Sequence, residues 1–293
     1  MKTLVIRFSS IGDIVLAGAI TAQLGEVVFL TLERFASLAA ALPGVVEVRT
    51  WEASGRSATE GFDRIIDLHA SPRSRLATAF RTAQVRRVRR HDIRRRLRPA
   101  LKVSPAPSVI ARYAEAAGVA ACTDPWMIAP GLCDGQSKTL LLIPGAAHLT
   151  KRWPEAGYTA IGSRWPGPVL LLGSSTETAQ LEHLRDTIGA KATVLAEDGF
   201  HHTLAAIRCA RAAVGGDTGL VHLAAAAGVH TVGLFGPTSA DDGFWCHPGQ
   251  ALSANLPCSP CSRHGGAVCP VGSHACMVDI DDGAVWSALE VAL

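Results

Sequence analysis

Runs of five or six residues rich in Val, Ile and Leu, each followed by a longer helical pattern, recur along this chain and restart once in its middle. TLVIRF, VVFLTL, VVEVRTW and RIIDLH read as strands in the first half. DIVLAGAITAQL, ERFASLAAAL, an arginine-rich stretch and SVIARYAEAAGVA read as helices. After CTDPWMIAPGLCDGQSK, rich in Gly, Pro and polar residues, the pattern begins again with TLLLIPGA, PVLLLGS, ATVLAE and HTVGLFGP as strands between helical segments. Continuous β-branched and leucine runs suit parallel strands buried on both faces. Their alternation with helices implies right-handed βαβ units in doubly wound sheets. The expectation is therefore an α/β chain of two such domains, 1–132 and 133–293, with the seam near 125–137.

The 293 residues exceed one typical domain, in keeping with that division. A composition 48% hydrophobic and 18% charged excludes a largely disordered chain. No apolar run reaches the roughly 18 residues of a membrane span, and the opening apolar stretch is broken by Arg7 and Asp13, so it reads as neither span nor signal peptide. A cytoplasmic protein is expected. Without a signal peptide, the eight cysteines point to reduced thiols or a metal site rather than a secreted disulfide scaffold.

In doubly wound sheets ligands bind beyond the carboxyl ends of the strands. That directs attention to five loops: RFSSIGD, IPGAAHLTKRWP, LLGSSTE, GGDTGLVH and FGPTSADD. In GGDTGLVH, Asp217, Thr218 and Gly219 stand where a helix begins, and free N–H groups at such an end suit an anion such as a pyrophosphate. Capping by Asp217 or Thr218 is the structural alternative. His222 lies one turn further on, as a ligand or as a packed side chain. Lys151 and Arg152 precede a Pro-started helix, from where a cation reaches a neighbouring phosphate or simply remains solvated. Glu177 follows a strand and a glycine turn, placed to accept ribose hydroxyls or to serve as a first-turn helix acid.

RFSSIGDIVL, KRWP after a glycine loop, GSSTE, DTGLVHLAAAAGV, LFGPTS and a final CSPC…CP…CM, in that order from residue 6 to about 280, together resemble glycosyltransferase family nine, the ADP-heptose:lipopolysaccharide heptosyltransferases. The resemblance implies GT-B architecture, two Rossmann-like domains facing across a cleft, with a last helix that in relatives commonly crosses back to the first domain. It implies an ADP-sugar donor on the second domain, an acceptor on the first, and inverting transfer with no bound catalytic metal or other cofactor. By position, Lys151 matches the lysine on the donor phosphates, Thr218 and Gly219 the helix start that holds the pyrophosphate, and Asp217 the aspartate on the sugar. His222 matches the histidine near the diphosphate and Glu177 the carboxylate at the ribose.

Asp13 then matches the catalytic base. Inverting transfer needs a group that removes the acceptor hydroxyl proton as that oxygen attacks in line. An ordinary carboxylate is a weak base, so proton transfer comes late, after bond formation has acidified the hydroxyl. The competing assignment makes Asp13 a first-turn helix acid with Ser9 or Ser10 as the cap. A catalytically idle nucleotide-sugar-binding protein, and an enzyme using another nucleotide sugar or glycan acceptor, are the alternative functions.

Charge is uneven, +7 over residues 1–136 and −4 over 137–293. Arg86, Arg87, Arg89, Arg90, Arg94, Arg95, Arg96 and Arg98 fall within thirteen residues, expected to be helical. A solvated face, a nucleic-acid patch and a surface for an anionic lipid acceptor are the candidate roles. The acidic second half and scarce aromatics disfavour nucleic acid. Given the family, a lipid-linked glycan at the cytoplasmic face of the inner membrane fits better, as a peripheral contact. Arg73 and Arg75, after DLH, are candidate acceptor-anion ligands. Cys258, Cys261, Cys269 and Cys276 leave three options open: structural zinc, a disulfide pair or buried thiols. Cys122, Cys133, Cys209 and Cys246 are expected as isolated thiols.

Overall fold

A computed structural model of the chain describes residues 1–89, 107–122, 124–127, 137–196, 199–243 and 248–293. Most of the arginine-rich stretch, from Arg90 to Arg98, lies outside them, as do Cys133, Cys246 and much of the expected seam. The described residues form two compact units, one ending at Met127 and one beginning at Ser137.

The first unit carries a parallel five-stranded sheet in the order β3-β2-β1-β4-β5, with β1 at Thr3–Ile6, β2 at Val27–Thr31, β3 at Val45–Thr50, β4 at Arg64–Asp67 and β5 at Gln84–Arg87. Every residue of the central strand β1 is buried, as its apolar run requires. Helix α1, Ile11–Leu24, buries Ile14 to Thr21 without a break, because sheet, neighbouring helices and Trp126 surround it; the Trp126 indole donates to the Val15 carbonyl at 2.9 Å. The helix Val109–Ala117 starts where the Ser108 hydroxyl accepts from the Ala111 N–H and stops at Gly118 in the left-handed region.

β5 corrects the helical expectation for the start of the arginine stretch. Arg86 and Arg87 belong to an edge strand of alternating exposure, and Arg87 reaches inward to Asp67 at 3.4 Å and Thr78 at 2.6 Å. Arg89 pairs with Glu115 on the surface.

The second unit holds a parallel six-stranded sheet in the order β11-β10-β9-β6-β7-β8. Its strands are β6 (Leu140–Ile143), β7 (Val169–Gly173), β8 (Ala192–Ala196), β9 (Ala212–Gly216), β10 (His230–Leu234) and β11 (Gly249–Leu252). The last helix, Asp282–Glu290, is capped by Asp281 and packs on the helix Glu155–Arg164 and on β10 of its own unit, with Trp286 edge-on to Trp165. Among the described residues no helix is long and apolar enough to cross a membrane.

Strand order fixes where chemistry is to be sought. In the first sheet the chain winds from β1 to β3 on one side, then from β4 to β5 on the other. In the second it winds from β6 to β8, then from β9 to β11. The switch points therefore lie after β1 and β4, and after β6 and β9, where the doubly wound fold leaves a crevice for a ligand.

Candidate functional site

At the switch point of the first sheet, the Ser9–Ser10 peptide is cis and α1 begins at once. Asp13 occupies its first turn: the Ser10 N–H and hydroxyl donate to Oδ2 at 3.3 and 3.0 Å, and Arg7 Nη2 lies 2.5 Å from the same oxygen. Among the described residues Oδ1 receives only a long 3.4 Å bond, from the Tyr113 hydroxyl. Arg7 is itself held by the Leu68 carbonyl at 2.8 Å and stacks over Tyr113. Burial alone would raise the Asp13 carboxyl, but the Arg7 charge and the Ser10 hydrogen bonds outweigh it and hold the group below its ordinary range. The capping geometry weighed from sequence is present, and one oxygen still has acceptor capacity.

The loop after β4 is organised by Asp67, fully buried, which accepts from the His69 and Ala70 N–H groups and from the Ser74 hydroxyl. Arg73 and Arg75 stand exposed on the helix it anchors, Pro72–Thr78. Arg73 leans over Phe8 and Trp51, and His69 meets Phe8 edge-on. Sequence reading passed over Arg7, Asp67 and Tyr113. The first stands inside RFSSIGD and could have been found there, whereas Tyr113 arrives from a hundred residues away.

At the other switch point four elements converge on Asp217. Lys151 Nζ donates to Oδ2 at 2.7 Å and to the Asp217 carbonyl at 3.0 Å; the Thr238 hydroxyl donates to Oδ2 at 2.8 Å. His222 Nε2 lies 3.2 Å from Oδ1, and since a carboxylate only accepts, Nε2 carries the proton. Burial would raise this carboxyl too; hydrogen bonding and charge interaction with His222, then Lys151, instead drive it far below the usual range. Asp217 is thus a fixed anion, and neither it nor Thr218 caps the helix Gly219–Ala226: Thr218 is extended and makes no side-chain cap. Among the described residues the first-turn N–H groups stay available to an external anion, beside a lysine with a third proton to offer. Thr238, in the FGPTS loop, is the partner that sequence did not single out.

Arg152 turns away, donating twice to the Ala146 carbonyl and fixing the loop after β6. Glu177 forms a capping box with Ser174, whose N–H and hydroxyl meet Oε2 at 2.9 and 3.0 Å. Its carboxylate fills the space beside Gly145, where any Cβ would overlap it. The residue therefore caps locally and also borders the Lys151 loop.

Cys258, Cys261, Cys269 and Cys276 are free thiols lining one small cavity, and among the described residues no group of three or more His, Cys, Asp or Glu is arranged to hold a metal ion. Burial pushes Cys276 up to about 11. Cys209, expected as an isolated thiol, is instead disulfide-bonded. That is a correction with a simple reason: without an obvious spacing partner, a pairing set by the fold leaves no trace in sequence.

The family model for glycosyltransferase family 9 (heptosyltransferase) matches residues 114–268, which include the whole Asp217 cluster. The chain belongs to glycosyltransferase family 9. Over 132 residues this family 9 member is 35% identical to lipopolysaccharide heptosyltransferase 1 of Pseudomonas aeruginosa, a match covering 42% of this chain and 36% of that relative. The chain thus covers about a third of that curated relative's length. Among solved structures it resembles E. coli ADP-heptose LPS heptosyltransferase II, with a TM-score of 0.75 at 21% identity, covering 100% of this chain and 98% of that one. It also resembles the family 9 glycosyl transferase of Veillonella parvula, with a TM-score of 0.75 at 15% identity over 99% and 96% of the two chains. These likenesses show the fold, α/β with two parallel sheets in the GT-B class.

Proposed function

We propose that this family 9 member is an inverting glycosyltransferase that moves a heptose from ADP-heptose to an inner-core acceptor of lipopolysaccharide. The observation that carries the reading is the Asp217 cluster: a part-buried carboxylate holding Lys151 beside an uncapped helix start. The Lys151 ammonium and the N–H groups at the start of the helix Gly219–Ala226 suit the diphosphate, and they neutralise the charge that grows on departing ADP. His222 and Thr238 keep Asp217 ionised and in place; Glu177, beside Gly145 in the Lys151 loop, takes the ribose hydroxyls. The names of the relatives, which include an ADP-heptose lipopolysaccharide heptosyltransferase, support this choice of donor and acceptor.

On the acceptor side Asp13 is the general base, acting through Oδ1 because Oδ2 is engaged by Arg7 and Ser10. A carboxyl held below its ordinary range takes the proton only as the new glycosidic bond forms, in keeping with late transfer. Arg73 and Arg75 supply cations for the phosphate or carboxylate groups of a lipid-linked acceptor at the cytoplasmic face of the inner membrane. The deciding experiment supplies ADP-heptose or other nucleotide sugars with heptose-deficient lipopolysaccharide and measures release of each donor's own nucleotide. Turnover with ADP-heptose is expected. Turnover only with another donor would replace the sugar, and ADP binding without turnover on any acceptor would make the protein a binder.

A further inference from the structure

The cysteine-bearing segment from Cys258 to Met277 has no part in that chemistry, yet it holds both loops that bring donors to Asp217. At one end the Cys261 and Ser262 N–H groups donate to the Pro237 carbonyl at 3.1 and 2.8 Å, and the Ser259 hydroxyl donates to the Gly236 carbonyl. Thr238 is the next residue. At the other end the Thr150 N–H and hydroxyl reach the Gly266 carbonyl at 3.2 and 3.0 Å, and the Gly266 N–H returns to the Thr150 hydroxyl at 2.8 Å. His274 Nε2 lies 2.8 Å from the Thr150 carbonyl. Lys151 is the next residue.

The contact extends along the lysine stem. Gly265 has φ +84°, and a Cβ there would lie 2.9 Å from His148 Cβ and 3.0 Å from Lys151 Cγ, so the segment lies directly against the methylenes that carry the ammonium. Its tip is held by Ser262, whose hydroxyl accepts from the His264 and Gly265 N–H groups. On the far side the Gly272 N–H donates to the Cys269 carbonyl at 3.0 Å, and hydrogen bonding from the backbone at His274 lowers the Cys269 thiol below its ordinary range.

From this geometry we infer that Thr150 and His274 are positioning residues for Lys151, and that the cysteine segment is a clasp joining the Lys151 loop to the Thr238 loop. A lysine is a flexible stem with considerable rotamer entropy, and a phosphate contact made by a freely moving ammonium is weak. Fixing the backbone before Lys151 and the stem beyond it leaves its third N–H aimed at the diphosphate before the donor arrives. The inference rests on the reading of Lys151 as the phosphate contact.

The test is ADP affinity by calorimetry for the unmodified protein, Thr150→Val, Thr150→Ser, His274→Ala, Lys151→Ala and the Thr150→Val/Lys151→Ala pair, with thermal melts to verify folding. Thr150→Val and His274→Ala are each expected to weaken ADP binding about five- to tenfold, the scale of one or two lost hydrogen bonds, and Thr150→Ser to restore it. On the Lys151→Ala background, Thr150→Val should cost less than about twofold, since the group it positions is gone. Should Thr150→Val not fold, His274→Ala on the same two backgrounds decides. Unchanged ADP affinity in Thr150→Val and His274→Ala, or losses that add in full to that of Lys151→Ala, overturns the clasp. If the unmodified protein fails to bind ADP, the donor-site reading fails and the clasp with it; if Lys151→Ala binds ADP normally, the assignment of Lys151 to the phosphates falls and the clasp with it; if Lys151→Ala loses affinity while Thr150→Val and His274→Ala do not, the clasp alone fails.

Discussion

Asp13 in the first unit and Asp217 in the second each follow a strand at the point where strand order reverses, and each pairs with a basic side chain, Arg7 in one case and Lys151 in the other. The difference lies in what is left over. Among the described residues Asp217 has protein donors on both oxygens, from three elements besides its own, whereas Asp13 carries its strong contacts on Oδ2 and only a 3.4 Å bond on Oδ1. A carboxylate satisfied on all sides serves as a fixed charge that organises cations around it. One with an oxygen so lightly engaged can still accept a proton. Position in the fold is shared, and the number of committed donors separates the roles.

The largest effect should come from the lightly engaged oxygen. Asp13→Asn keeps the shape of the side chain and is expected to lower kcat by about 10²- to 10⁴-fold, the usual scale of general-base catalysis, with ADP affinity within about twofold of the unmodified protein. Turnover assays beside calorimetry check it; a matching loss of ADP affinity would erase the contrast between the two carboxylates. Next comes the saturated one. Asp217→Asn leaves the Lys151 ammonium without its anion and is expected to destabilise the second unit by about 2–3 kcal/mol, against about 1 kcal/mol for the capping and ion-pair loss in Asp13→Asn. Denaturant unfolding of both variants measures the gap, and equal losses would break the comparison.

The same contrast explains what could be read from sequence. Strands buried on both faces, such as β1 and β6, announce themselves as unbroken apolar runs. β5 and β11 do not: QVRR and GQAL lie on sheet edges, half exposed and of mixed polarity, so the pattern predicts helix for one and no strand for the other. The Arg7–Asp13 pair sits inside one motif of seven residues and was within reach of sequence. The bond between Lys151 and Asp217 spans 66 positions, and those between Thr150 and Gly266 span 116. Such pairings are made by strand order, which no local pattern encodes. The motifs therefore placed Lys151, Asp217, Thr218 and His222 near one another by resemblance, while their hydrogen bonds, and the part played by Thr238, needed coordinates.

Acid titration sharpens the comparison further. Both carboxyls are held below their ordinary values in the folded chain, so each contributes stability that is fully present above the unfolded carboxyl pKa of about 3.9 and is lost as pH falls through the folded one. The stability gap between the unmodified protein and Asp217→Asn should hold from pH 7 to about 5 and shrink below about pH 4. A gap that stays constant down to pH 3 would mean that Asp217 is not held low, and its role as a permanent anion would fall.

The smallest expected effect probes the contact that Oδ1 of Asp13 makes with Tyr113. Tyr113→Phe removes a hydroxyl at 3.4 Å but keeps the ring beneath the Arg7 guanidinium, so the Arg7–Asp13 pair should persist. A bond this long contributes a fraction of the usual 0.5–1.5 kcal/mol, so kcat should change by less than about threefold and ADP affinity not at all. Losing a donor also makes the carboxylate slightly more basic, so the acid limb of the kcat–pH profile should move up, not down. A tenfold or greater loss of kcat with that limb unmoved would show the Tyr113 hydroxyl acting on the acceptor itself. Asp13 would then share the acceptor side with a second group, and the count of committed donors would no longer suffice to tell a base from a fixed charge.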